Sequence, residues 1–249
     1  MCRTNANATR MTIWALMELV KDPILYKAVR DEIVTKCLKI DPTTAARSLD
    51  TYEMLKLPLL QSLSTEVLRL HISVNVTREA VQPLLLGSHT IEKGDLLQAP
   101  SQLAHHDEEV WGEKGHPASE FWAQRHIIHT DNVDPSGKAI SQAEFSMGGK
   151  SGSYFPYGKL ICWFNQWETW LTLNFAGGGV SICPGRHLAK QEMVLTLGTL
   201  VARFDIEFLN WVNKDGSKSE RPAQNDRNFA GAVGVPPDRD LKYRWRRSW

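Results

Sequence analysis

The sequence has few cysteines, almost no net charge and no long apolar run. Its four cysteines form no CxxC pair, which argues against a disulfide framework. A net charge of +1 provides no strongly basic surface for nucleic acid or an anionic membrane. No apolar run approaches the roughly 20 residues that a membrane-spanning helix needs, and no stretch has the pattern of a signal peptide. With 42% apolar residues, the composition is that of a globular protein.

What the sequence does have is a glycine-rich loop with one cysteine, at residues 177–186 (GGGVSICPGR). Glycines let a backbone approach a bulky planar group closely, and Pro184 is well tolerated in the first turn of a helix. We predict that helix over His187–Phe204. Its first N–H groups would stabilise a thiolate at Cys183, and a thiolate is a good axial ligand for haem iron. A buried cysteine in a helix-capping turn is the alternative.

This loop resembles the haem-binding loop of the cytochrome P450 family, which has the pattern aromatic-x-x-Gly-x-x-x-Cys-x-Gly. The resemblance implies that Cys183 is the axial ligand of the iron in haem b, the iron protoporphyrin IX cofactor. It also implies that Gly179 and Gly185 shape the loop against this cofactor.

A second segment carries the same resemblance. Lys56–His71 shows the apolar spacing of an amphipathic helix, and Glu66 and Arg69, three residues apart, can pair on one face of it. They resemble the Glu-x-x-Arg helix of the family, whose ion pair is completed by an arginine from a later loop. Arg125 matches that arginine, although Ala123 stands where the family usually has proline. The resemblance implies a buried structural lock that serves folding and haem retention.

The β-like runs after this helix resemble the small sheet that lies beside the cofactor in the family. The resemblance implies that Arg78 pairs with a haem propionate, and a surface arginine at a strand end is the alternative. Ser181 stands where many relatives have a basic residue, so more of this task would fall to Arg78. We expect His105 and His106 to be ordinary polar residues, because adjacent side chains diverge on any regular element.

Near the start of the chain, Thr9–Val20 is predicted to form an amphipathic helix that ends before Pro23. It resembles the second half of the long helix that crosses the haem face, where an acid–alcohol pair normally delivers protons. Ala6 occupies the acid position and Asn7 the alcohol position, and the Asn-x-Asn form resembles a subgroup with sterol 7α-hydroxylases and prostacyclin synthase. Asparagine can hydrogen-bond an oxygen atom but cannot titrate near neutral pH, so Asn7 is the candidate catalytic residue. A helix-capping or solvent-facing amide is the alternative.

Two features depart from the family. Its members are much longer, so we interpret residues 1–249 as the C-terminal portion of a single domain, from a truncated gene model or a fragment. The second departure is at residues 158–177, because Phe175 lies eight positions before Cys183 whereas the family spacing is seven. Fusing the ends of this segment would place Tyr157 at the family spacing, and codons at both ends can contain intron boundaries. We interpret it as a retained intron, with a real insertion as the alternative.

The predicted fold class is mainly α with minor β, namely the cytochrome P450 fold from its long distal helix to its C-terminus. Residues Arg125–Lys150 match the irregular meander that precedes the haem loop in the family. Segments after Phe204 have the composition of terminal strands and turns.

The resemblance implies a haem-thiolate monooxygenase that hydroxylates a lipophilic substrate, such as a sterol, terpenoid or secondary metabolite, with O₂. Electrons would come from NADPH through a cytochrome P450 reductase, and no nucleic-acid partner is expected. The full-length family member would lie at the endoplasmic reticulum membrane through its N-terminal half, since this chain shows no anchor. Two alternatives stay open: a haem-thiolate isomerase or dehydratase, because Asn7 lacks a neighbouring acid, and a truncated product without activity.

Overall fold

The computed structural model describes residues 6–133, 139–157, 183–229 and 233–249. Within these ranges the helices are α1 (Ala6–Lys21), α2 (Pro23–Cys37), α3 (Thr51–Met54), α4 (Pro58–His71), α5 (Ser101–His105), α6 (Glu108–Trp111) and α7 (Arg186–Arg203), with a 3₁₀ turn at Lys150–Ser153. The strands are β1 (Leu38–Ile40), β2 (Arg47–Leu49), β3 (Asn75–Glu79), β4 (Leu84–Leu86), β5 (His89–Ile91), β6 (Leu96–Pro100), β7 (Ile127–Val133), β8 (Ala139–Phe145), β9 (Phe204–Val212), β10 (Lys218–Ser219) and β11 (Asp240–Arg247).

The core lies where the four longest described helices meet. Helix α1 packs against α7 and α4, and α2 packs against α7. Trp14, Leu63 and Leu197 are fully buried between them. Because burial of one large apolar side chain contributes about 1.5–3 kcal/mol, this four-helix contact is the main source of stability in the described part. The prediction of a mainly helical fold with minor sheet is confirmed.

The junction between α1 and α2 is determined by the local sequence. A carboxylate oxygen of Asp22 accepts hydrogen bonds from the N–H groups of Ile24 and Leu25, both at 3.0 Å. These N–H groups have no partner within the helix, so Asp22 acts as its N-cap. Pro23 fills the first helical position, where no N–H is needed. The predicted end of the first helix is therefore confirmed.

Two helix boundaries differ slightly from the sequence prediction. Helix α1 begins at Ala6, earlier than the predicted Thr9, so Asn7 lies inside its first turn. Helix α7 spans Arg186–Arg203, one residue earlier at each end than predicted. In the described ranges, none of the helices is both long and apolar enough to cross a bilayer.

Helix α4 is more buried than its amphipathic pattern indicates. Every residue from Ser62 to Ile72 is buried, because other elements of the fold surround this helix. Its polar side chains therefore need partners inside the protein. The hydroxyl of Ser64, for example, donates to the carbonyl oxygen of Leu60 at 2.7 Å. Helix α4 contributes residues to the site described below.

The strands pair only in small antiparallel sheets among the described residues: β1–β2, β3–β6, β4–β5, β7–β8 and β10–β9–β11. The β7–β8 hairpin corrects the prediction of an irregular meander over Arg125–Lys150. Strand β7 is rich in β-branched residues, which favour an extended backbone, and it pairs with β8 from Ile127 opposite Phe145. Strands β9 and β11 confirm the terminal strands. The interpretation of 158–177 falls outside the described residues.

Candidate functional site

A cavity of about 330 Å³ lies where the start of α1, the end of α4 and the start of α7 come together. Asn7 and Cys183, which are far apart in the sequence, both line it. Most of its walls are apolar and come from Ala8, Met11, Leu68, Ile72, Val74, Pro156, Ala189, Met193 and Val233. The cavity therefore combines one thiol, one carboxamide and a largely apolar surface.

Cys183 stands directly before α7. Its N–H donates to the carbonyl oxygen of Tyr157 at 3.1 Å, and its own carbonyl oxygen accepts from the N–H of Arg186 at 3.3 Å. These bonds hold the thiol at the N-terminus of α7, where the helix dipole favours an anion. Burial, followed by the charge of nearby Cys183, raises the pKa of Tyr157 to about 12, so its hydroxyl stays protonated.

Gly185 is the N-cap residue of α7, with a φ of −80° that other residues also adopt. A side chain at this position would begin 3.8 Å from the sulfur of Cys183, which is ordinary contact distance. Gly185 thus lies beside the thiol and lines the same cavity. Gly179 and Ser181 lie outside the described residues.

Arg78 does not reach this cavity. It is half-buried on β3, and its guanidinium donates to the carbonyl oxygen of Thr77 at 2.8 Å. Among the described residues that line the cavity, the cations are Arg186 and Lys190. Lys190 is partly buried, which lowers its pKa, and its ammonium donates to the side-chain oxygen of Gln61 at 3.2 Å. The structure therefore brings Asn7, Cys183 and Gly185 together but not Arg78.

The predicted lock on α4 is present. The guanidinium of Arg69 donates to both carboxylate oxygens of Glu66, at 2.8 and 2.7 Å. Nε of Arg125 donates to the same carboxylate at 2.8 Å. All three side chains are fully buried. Burial opposes ionisation of Glu66, yet the hydrogen bonds of Arg69 and His126 and the charges of the two arginines outweigh it and hold the pKa of Glu66 at about 2.

The two arginines also bind the loop that follows α6. The guanidinium of Arg69 donates to the backbone carbonyl of Ala118 at 2.7 Å. That of Arg125 donates to the carbonyls of Pro117 and Glu120, at 3.1 and 3.0 Å. The lock therefore joins α4 to the chain on both sides of residue 120, and it lies outside the cavity lining.

His105 has a structural role that sequence reasoning missed. It is fully buried, its Nδ1 lies 3.1 Å from the carbonyl oxygen of Arg69, and its Nε2 accepts from the N–H of Phe155 at 3.0 Å. Burial lowers the pKa of His105 to about 4, so the ring is neutral near pH 7. The contact links α4 to the segment that leads towards the cysteine loop. His106, in contrast, is half-buried, and its Nδ1 lies 2.8 Å from the carbonyl oxygen of Gln102.

The residues around the cavity fit an apolar group held by a single sulfur. The described part of the lining contains no aspartate, glutamate or histidine. Within the described ranges, no group of three or more histidine, cysteine, aspartate or glutamate side chains could hold a metal ion. A thiolate ligand with apolar walls is the donor set typical of haem in the P450 class.

Comparisons with known proteins find relatives of one family. Residues 6–119 match the family model for cytochrome P450. The chain is 50% identical over 246 residues to the cytochrome P450 monooxygenase calL of Penicillium decumbens. The matched region covers 99% of this chain and 40% of that protein. It is 27% identical over 251 residues to cytochrome P450 7A1 of Rattus norvegicus, covering 98% of this chain and 43% of the relative. The chain thus spans less than half the length of these relatives.

A solved structure is similar in fold. The zebra fish cytochrome P450 in a structure with progesterone superimposes with a TM-score of 0.59 at 20% identity, covering 95% of this chain and 42% of that one. At this level of identity the similarity concerns the fold alone.

Proposed function

Because the chain belongs to the cytochrome P450 family, we propose that it is the thiolate-bearing portion of a haem monooxygenase. The observation that carries this proposal is the apolar cavity shared by Cys183 and Asn7. In this assignment residues 1–249 form the C-terminal portion of one domain, and the rest of the substrate pocket belongs to another part of the protein. Haem b would supply the oxidation chemistry when bound, and the protein supplies the ligand, the electrostatics and the pocket.

Each named residue has a distinct task. Cys183 would bind the iron through its sulfur, at the N-terminus of α7 where the helix dipole favours an anion. Gly185 and Gly179 would allow the cofactor to approach the loop, and Arg78 would pair with a propionate. Asn7 presents a polar group to whatever lies in the cavity. The lock around Glu66 holds the fold beneath the site without taking part in chemistry.

The substrate we propose is lipophilic, such as a sterol, terpenoid or secondary metabolite. The mainly apolar lining supports this class, since an apolar pocket gains free energy by removing apolar ligand surface from water. The reductant is NADPH, which acts through a partner cytochrome P450 reductase, and the full-length protein would meet that partner at the endoplasmic reticulum membrane.

The activity is tested with the haem-loaded protein, a cytochrome P450 reductase and a panel of sterols and terpenoids. We expect products that have gained one oxygen atom, and we expect their formation to stop when either NADPH or the reductase is omitted. Ala6 next to Asn7 favours a second candidate, an isomerase or dehydratase, because no acid stands at this position. Turnover of a lipid hydroperoxide at the same rate with and without NADPH would replace the monooxygenase assignment by this one.

We further propose that residues 158–177 are a translated intron within this domain. The altered spacing before Cys183 supports this, because removal of the segment restores the seven-residue spacing of the family. Sequencing of the transcript should find molecules in which the codon for Tyr157 is followed by one glycine codon and then that for Gly178. Genomic DNA without GT and AG boundaries at these codons would instead establish a real insertion.

A further inference from the structure

Residues 233–235 form a short backbone bridge next to the cavity. The N–H of Ser73 donates to the carbonyl of Val233 at 2.9 Å, and the N–H of Val235 donates to the carbonyl of His71 at 3.0 Å. Gly234 lies opposite Ile72 in this antiparallel pair. The end of α4 therefore holds the bridge through backbone hydrogen bonds alone.

Helix α1 holds the other side of the bridge with three side chains. The side-chain oxygen of Asn7 accepts from the N–H of Gly234 at 3.0 Å. The guanidinium of Arg10 donates to the carbonyl of Gly234 at 3.2 Å, and the indole N–H of Trp14 donates to the carbonyl of Val235 at 2.8 Å. Spacings of three and four residues place these side chains on one face of α1. These hydrogen bonds fix the position of the bridge along the axis of α1.

Gly234 meets α1 at a distance that leaves little room for a side chain. A Cβ atom at this position would lie 3.2 Å from the side-chain oxygen of Asn7 and 3.3 Å from the terminal methyl of Met11. Both distances are shorter than ordinary Cβ contacts. An alanine here would crowd the Asn7 oxygen and the Met11 methyl, so that these side chains would have to shift.

The contact with Gly234 also determines which end of the Asn7 carboxamide faces which way. A backbone N–H can only donate, so the Asn7 atom that meets it must be the carbonyl oxygen. The NH₂ group of Asn7 is then left over, and no described residue accepts a hydrogen bond from it. Since Asn7 also lines the cavity that contains Cys183, this NH₂ group is a hydrogen-bond donor available to a ligand there.

We infer that Gly234 is a positioning residue: its N–H orients the Asn7 carboxamide so that Asn7 acts in the cavity as a hydrogen-bond donor. The group that it recognises is an oxygen atom with a free lone pair, on a small diatomic ligand or on the substrate. The inference rests on the proposed function only for the haem that would share the cavity. The orientation itself depends on contacts within this chain.

Three variants separate the hydrogen bond between the Gly234 N–H and Asn7, called the tether below, from the donor role of the Asn7 NH₂ group. Asn7→Asp keeps an oxygen for the Gly234 N–H but removes the donor, provided that the pH is well above the ordinary pKa of aspartate. Asn7→Leu has a similar size and removes both the acceptor oxygen and the NH₂ donor. Gly234→Ala shifts the side chain of Asn7. The rate of amide hydrogen exchange at Gly234 reports whether its N–H is hydrogen-bonded to Asn7, and it can be measured with or without haem. The C–O stretching frequency of carbon monoxide on the reduced haem reads the donor, because a donor near the oxygen weakens the C–O bond.

We expect exchange at Gly234 to accelerate several-fold in Asn7→Leu and to stay near the wild-type rate in Asn7→Asp. The C–O stretch should move to higher frequency in all three variants. An unchanged exchange rate in Asn7→Leu would overturn the tether, and an unchanged C–O stretch in Asn7→Asp would overturn the donor role. Failure of every variant and the wild type to take up haem would contradict the proposed function, while exchange at Gly234 would still decide the orientation of Asn7.

Discussion

Glu66→Gln is expected to lower the free energy of unfolding by about 3–5 kcal/mol, since breaking a buried ion pair leaves its partner charge uncompensated. Here two guanidinium groups, those of Arg69 and Arg125, lose the one carboxylate that both of them contact. A typical domain has only roughly 5–15 kcal/mol of net stability, so this change is a large fraction of the total. Urea unfolding followed by circular dichroism measures it.

The matched control is Glu53→Gln. Glu53 also pairs with a cation three residues later, and its carboxylate lies 2.8 Å from the ammonium of Lys56. About half of each of these side chains is exposed, so water and salt screen the pair, and the stability should stay nearly unchanged. Equal effects of the two substitutions would show that burial does not decide the contribution of Glu66.

The same carboxylate predicts how acid affects the protein. The pKa of Glu66 is lowered from 4.5 to about 2 in the folded state, so the unfolded state binds the proton more readily. Its stabilising contribution is therefore fully present above pH 4.5 and is lost as the pH falls towards 2. Glu66→Gln should be destabilised at neutral pH and should lose less additional stability than the wild type over this interval.

Cys183→Ala is expected to abolish the reduced, carbon monoxide-bound absorption band for which cytochromes P450 are named. That band requires a thiolate on the iron, and the cavity contains no second thiol among the described residues that line it. Because Cys183 is exposed at the start of α7, its removal should leave the unfolding midpoint of the haem-free protein nearly unchanged. Absorption spectroscopy of the haem-loaded proteins, together with urea unfolding, measures both effects.

Cys37→Ala is the control for this substitution. Cys37 is fully buried at the end of α2, and burial, followed by nearby carboxylates, raises the pKa of its thiol to about 11. It therefore stays a protonated thiol near neutral pH and cannot serve as the ligand. The control should keep the absorption band. An intact band in Cys183→Ala, or its loss in Cys37→Ala, would contradict the assignment of the ligand.

Some of this molecule could be predicted from its sequence because the causes are local. The end of α1 follows from an Asp-Pro pair, and the pairing of Glu66 with Arg69 follows from their spacing on one helix turn. Cys183 could be placed before a helix because glycine and proline determine how the backbone runs there. The candidate ligand, the lock and the fold class all came from such short motifs.

Other features had no local signal. The burial of α4 on all sides from Ser62 onwards depends on elements from distant parts of the chain, and the amphipathic pattern of the helix did not indicate it. The same holds for His105, whose adjacent histidine looks equivalent in the sequence. Only one of the two rings lies between α4 and Phe155.

The sequence by itself singled out the candidate site residues: a cysteine before a helix and an asparagine near the start of another. Only the tertiary structure decided that both line one cavity, that Arg78 stays outside it, and that Gly234, 227 positions from Asn7, holds its carboxamide. The physical reason is the distance along the sequence over which each kind of interaction acts. Backbone propensities and helix spacing act over a few residues, whereas a contact between distant segments exists only after the helices have packed and the chain entropy that opposes their meeting has been overcome.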